Sequence, residues 1–173
     1  MDNKIIQIPE NSNETENISK PPCHRVIISN EKWEINDDDY IAKNQQKIFT
    51  EGCLTNKTFK KMKQEIKRKI NSYKTQDKIK KIFDEENFID YDTIRESLLK
   101  NDFKCYYCKE NIKILYQFVR ESKQWSVERI DNKLGHNKDN ITIACLNCNL
   151  HRRTMYHERF VFTKQLNIVK TDI

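Results

Sequence analysis

The chain has 173 residues, enough for one domain of ordinary size with extensions, and carries a formal net charge of +6. Its hydrophobic share of 36 % barely exceeds its charged share of 34 %, so the core is lean. No run approaches the eighteen apolar residues of a membrane span, and a membrane role is not expected. With two glycines and three prolines, helices joined by Lys- and Asn-rich connections are expected in place of long loops.

The charge is unevenly spread. Residues 1–40 hold 4 basic and 9 acidic side chains, net −5; residues 41–82 hold 13 and 3, net +10; residues 83–173 hold 15 and 14, net +1. The opening MDNKIIQIPENSNETENI has no apolar centre like that of a secretory signal. An intracellular chain, in cytoplasm or nucleus, with reduced thiols is therefore expected. Residues 1–36 read as an acidic, largely disordered arm broken at Pro21-Pro22, within which Val26-Ile27-Ile28 and Trp33 could add a strand or a docking contact. His24 carries no usable signal.

Residues 37–102 read as a basic helical region. From Thr55 to Tyr73, Phe59, Met62, Ile66, Ile70 and Tyr73 recur every three or four positions, which predicts an amphipathic helix. Lys60, Lys61, Lys63, Lys67 and Arg68 fall away from that stripe. A second, shorter helix is expected around Ile79, Ile82 and Phe83, and a third from Asp92 as N-cap through Ile94, Leu98 and Leu99. The basic block suits a phosphate-backbone partner, with a merely solvated helix face as the alternative.

Residues 103–173 are the most informative. Cys105/Cys108 and Cys145/Cys148 form two CxxC pairs with 36 residues between them. A two-residue spacer lets both sulfurs of a pair face one ion, so four thiolates can saturate a tetrahedral structural zinc, and reduced thiols favour this over disulfides. Cys23 and Cys53 stand alone and are read as unliganded. Between and after the pairs, Trp125 to Asp131 alternates as a strand, Asn132 to Gly135 forms a turn, and Ile141 to Ala144 gives the partner strand. A helix begins near Asn149, with Leu150, Met155 and Phe160 on its apolar side; His151 and His157 are expected to face solvent.

Strand, loop, strand and helix, with WSVERIDNKLGHNKDNITIACLNCNLHRR read as one block, resemble the HNH endonucleases over about residues 103–160. The basic stretch SYKTQDKIKK resembles what precedes this domain in HNH proteins of large DNA viruses. The resemblance implies an α+β chain with a ββα-metal, treble-clef-like, zinc-stapled core. It also implies a metal-dependent endonuclease that hydrolyses double-stranded DNA with Mg2+ or Mn2+. Glu128 stands where the family has a metal-binding Asp, and Asn149 matches the helix residue that ligates that metal. Asn140 matches the Asn that braces the loop. Arg152 and Arg153 follow on the helix as phosphate contacts.

Arg129 is a departure, because many members have the general-base His there and an arginine cannot accept a proton in water. Asp131 or His136 is then expected to supply the base or a second ligand, with Arg129 clamping phosphate. Each residue also has a simpler reading: His136 as a turn cap, Asp131 as a turn-initiating Asp, Asn149 as an N-cap, and Glu128 in a surface ion pair. Two other functions stay open, a zinc-containing nucleic-acid-binding module without catalysis and an interaction protein whose zinc is purely structural.

Overall fold

The computed structural model describes Trp33 and residues 35–166, so the expected arm, with Cys23, His24 and Val26-Ile27-Ile28, lies almost wholly outside the described residues. A 3-10 turn at Asp37–Tyr40 leads into α1 (Ala42–Glu51), a helix the apolar periodicity did not announce. It ends on Gly52, whose φ of 63° supplies the left-handed residue that closes a helix at no steric cost. Gln45 explains why a weakly apolar segment docks: its buried amide accepts from the Ile114 and Leu115 N–H groups and donates to the Leu115 carbonyl. Exposed Cys53 follows in the turn after α1, its sulfur beside the Thr55 hydroxyl.

The Asn56 side chain accepts from the Phe59 N–H and starts α2 (Lys57–Ile79). This helix runs unbroken for 23 residues, so the expected second helix is the end of the first, and Ile82 and Phe83 lie beyond it. It stops in a Schellman turn, with Ile82 N–H bonded to Asp77 O, Lys81 N–H to Lys78 O, and Lys81 at φ 58°. Asp90 caps α3 (Tyr91–Lys100) two residues before the expected Asp92, and Ile94 and Leu98 are its buried side.

Strands β1 (Trp125–Arg129) and β2 (Ile141–Cys145) pair antiparallel, from Trp125 opposite Cys145 to Arg129 opposite Ile141. Helix α4 (Leu146–Arg152) follows without a linking residue and packs on both strands. Arg153, at φ 50°, separates it from α5 (His157–Gln165), so the single helix expected from Asn149 is two helices and starts earlier. Leu150 is consequently exposed, while Phe160 is buried.

The expected half-buried alternation of β1 gives way to four consecutive buried residues. Ser126 and Glu128 share the strand face toward α4. The strand edge not taken by β2 is covered by α2, whose Lys69 ammonium donates to the Trp125 carbonyl and whose Tyr73 hydroxyl accepts from the Val127 N–H. A single apolar core runs from Phe49, Met62 and Ile66 through Ile94 and Leu98 to Trp125, Ile143 and Cys148. Packing thus crosses the expected boundary at residues 102–103 without a break.

Candidate metal centre and hairpin site

The sulfurs of Cys105, Cys108, Cys145 and Cys148 all lie within 4.8 Å of one another. A Zn–S distance of about 2.3 Å in a tetrahedron requires sulfurs about 3.8 Å apart, and Cys108 and Cys145 are 3.9 Å apart. The backbone shapes the site from both sides. Cys105 N–H bonds Glu110 O, Lys109 N–H bonds Cys105 O with Lys109 at φ 59°, and Tyr106 N–H bonds Ile143 O, which hangs the first knuckle on β2. Cys145 is at once the last residue of β2 and the N-cap of α4, accepting from the Cys148 N–H. The thiols do not titrate alike. A hydrogen bond from Cys145 holds Cys105 down to about 5, whereas burial and the neighbouring Cys105 push Cys148 up to about 12. Four thiolates this close require a cation, and the four cysteines could hold a metal ion such as zinc.

At the hairpin tip, Asn140 bridges the two sides of the loop. Its Oδ1 accepts from the Asp131 N–H at 2.8 Å, and its Nδ2 donates to Asp131 O at 3.0 Å and Gly135 O at 2.9 Å. Arg129 donates to the carbonyls of Asn132 and Leu134, both at 3.0 Å, so its guanidinium clamps its own loop. Asp131 is exposed and accepts from the Lys133 N–H, the turn-initiating arrangement.

His136 is buried and turned inward, a correction to its expected place as a general base. Its Nδ1 lies 2.8 Å from Asp77 Oδ1, its N–H donates to Asp77 Oδ2 at 2.6 Å, and its ring stacks on Tyr73 at 4.5 Å. Burial lowers its pKa, opposed by Asp77. Gly135 fits this contact by necessity: a Cβ there would meet Ile82 O at 2.5 Å and Asp77 Oδ2 at 3.0 Å. Asp77, itself fully buried, went unnoticed in the sequence. The available signal was a carboxylate four residues past Tyr73, continuing the apolar stripe.

Between β1 and α4 lies the expected catalytic-metal position, where Arg152 holds one oxygen of Glu128 and leaves Oε2 buried without a partner. Arg152 is only 2 % exposed and donates to Glu128 Oε1 at 2.7 Å, to Arg129 O at 2.6 Å and to Ile130 O at 2.6 Å. Arg152 is therefore no surface phosphate contact, and the Glu128 pair is internal, not on the surface. Burial raises the Glu128 pKa, with Arg152 opposing. Asn149 is the fourth residue of α4, not its cap, and its amide donates to Ser126 Oγ at 3.2 Å. Asn149 and Arg152, three apart on the helix, thus match Ser126 and Glu128, two apart on the strand.

Compared with protein-family models, curated proteins and solved structures, the chain finds no match.

Among the described residues, the four cysteines are the one group of three or more His, Cys, Asp or Glu placed to share a metal ion. Of the donors expected for a hydrolytic Mg2+ or Mn2+, Glu128 has Oε1 on the Arg152 guanidinium, while its Oε2 is buried without a hydrogen-bond partner. His157, expected in solvent, is half-buried at the start of α5, with Nδ1 3.1 Å from the Tyr107 hydroxyl and its ring stacked on Tyr106.

The expected nucleic-acid lysines divide. Lys61 lies over Trp33, Lys63 over Tyr91, and Arg68 is bound to Glu65 at 2.7 Å. Lys60 and Lys67 are exposed, as are Lys57 and Lys78, the last of these over the Phe83 ring at 5.2 Å. At about 100° per residue, these four share roughly one quadrant of α2 and span about 32 Å. Arg153 is exposed beside the hairpin tip, its carbonyl 3.4 Å from Asn132 Nδ2.

Proposed function

We propose that this chain is a zinc-stapled nucleic-acid-binding module of the ββα type, architecturally akin to HNH endonucleases, in which Arg152 takes the position of the hydrolytic metal ion. The observation that carries this reading is the buried Arg152–Glu128 pair. Cutting a phosphodiester needs a cation open to the phosphate and a base open to water. Here the cation is a side chain whose donors point at Glu128 and two backbone carbonyls, and the histidine is held by Asp77.

The binding half of the reading rests on α2. Exposed Lys57, Lys60, Lys67 and Lys78 on one face give a stripe of positive charge with the reach of about one turn of duplex DNA. Four thiolates on zinc would fix α4, β2 and the Cys105 knuckle to one another, a rigid frame in a chain with a lean core. The zinc supplies folding free energy and no chemistry at the hairpin.

The test is fluorescence anisotropy of the zinc-loaded chain with a short duplex across a series of salt concentrations. Affinity should fall linearly on a log–log plot, and Lys60→Glu with Lys67→Glu should flatten the slope by about two. Salt-independent binding, or a slope unchanged in the double variant, would contradict the proposal.

A further inference from the structure

A cleft of about 400 Å3 opens between the hairpin tip and the α4–α5 connection. Ile130 and Met155 give it apolar wall, Asp131, Asn132 and Glu158 give it acceptors and an amide, and Lys133 stands beside them. Tyr156 lines it while 81 % exposed, the most exposed of the large hydrophobic side chains among the described residues. Its backbone has a structural role, accepting from the Phe160 N–H as α5 begins, but among the described residues its side chain makes no hydrogen bond or ring contact. At the α4–α5 break Arg153 takes φ 50° and ψ −112°, a turn that places Tyr156 beside the tip and leaves Arg153 exposed next to it.

We infer that this cleft receives one unpaired nucleobase of a nucleic-acid strand, with Tyr156 as its stacking platform. The inference rests on the nucleic-acid reading above and names the substrate class of that surface. An exposed aromatic ring offers a face to any base, and stacking of this kind tolerates sequence. Asp131 and Glu158 are acceptors for the amino and imino hydrogens on a base edge, which a duplex keeps paired and an unstacked nucleotide exposes. Carboxylates would repel a phosphate at that depth, so the phosphates run outside, along Lys133 and Arg153. The cleft floor is Arg152, whose clamp on Glu128 and the 129 and 130 carbonyls fixes the strand end that carries Asp131.

The experiment measures anisotropy of the zinc-loaded full chain with a labelled single strand and with the corresponding duplex. Four proteins are compared: the unaltered chain, Tyr156→Ala, Tyr156→Phe, and the Lys60→Glu/Lys67→Glu pair. Zinc content and circular dichroism confirm that each is folded, which the exposure of Tyr156 favours. Tyr156→Ala should weaken single-strand binding about tenfold or more and leave duplex binding within about twofold, while Tyr156→Phe retains the original affinity. If Tyr156→Ala leaves single-strand affinity intact while the lysine pair weakens both ligands, the cleft inference falls and the nucleic-acid reading stands. Absence of salt-dependent binding to either strand overturns both.

Discussion

Arg152 Nη1 lies 2.7 Å from Glu128 Oε1 with both side chains buried, so a helix residue and a strand residue are joined by an internal ion pair where the sequence motif implied a metal. Removing one partner leaves the other buried without its counter-ion. Arg152→Ala should therefore cost about 3–5 kcal/mol of stability in urea unfolding. Replacing both partners with apolar side chains, Glu128→Met with Arg152→Leu, should recover much of that loss. Equal destabilisation by the single and double changes would show that the carbonyl contacts, not the pair, dominate.

Zinc removal should be felt beyond the cysteines. The core is continuous from Met62 to Cys148, and α2 covers the open edge of β1 through Lys69 and Tyr73. Chelation, or Cys105→Ser, should release amide-exchange protection in the second half of α2 together with that of β1 and β2. Full retention of α2 protection after zinc loss would separate the helix from the knuckle energetically.

Gly135 should tolerate no side chain. The Cβ of Gly135→Ala would sit 2.5 Å from Ile82 O, which is backbone in the turn after α2 and cannot rotate away. A loss of about 1–3 kcal/mol is expected, read as a lowered urea midpoint, with zinc still bound. A neutral result would mean that the hairpin tip is free to move off α2.

Acid should loosen the same junction. His136 has a pKa below its ordinary value because it is buried, with Asp77 opposing and Arg129 and Lys80 adding to the lowering. The unfolded chain then binds the proton more readily than the folded one. Stability is present above the ordinary imidazole range and is lost as pH falls from about 6.5 toward the lowered value. His157 is shifted in the same direction by burial and then by Arg152, so each histidine should be replaced singly. At constant zinc content, His136→Gln should flatten the pH dependence; an unaltered profile would contradict it.

Much of the frame could be read directly from residue spacing. The CxxC pairs converge because both are local turns closed on their own backbone, and the two strands appear at Trp125 and Ile141 as expected. Asn140 braces the tip because its amide serves both sides of one loop. Contacts between distant segments were hidden. Asp77 and His136 are 59 residues apart, and Gln45 and Leu115 are 70 apart, so no local period couples them. An arginine on a short helix is ordinarily a surface residue; only the strand pairing puts Arg152 against Glu128. The helix ends near Lys81, Asp102 and Arg153 lack a glycine signal because non-glycine residues take positive φ there.

The most direct test of an arginine in the metal's place is plasmid incubation with the zinc-loaded chain and Mg2+ or Mn2+, read together with a mobility shift on the same DNA. Retarded but uncut DNA at low salt, identical with and without EDTA at constant zinc content, is the predicted result. Metal-dependent nicking that disappears in Asn149→Ala would contradict the account and make the β1–α4 groove a hydrolytic centre.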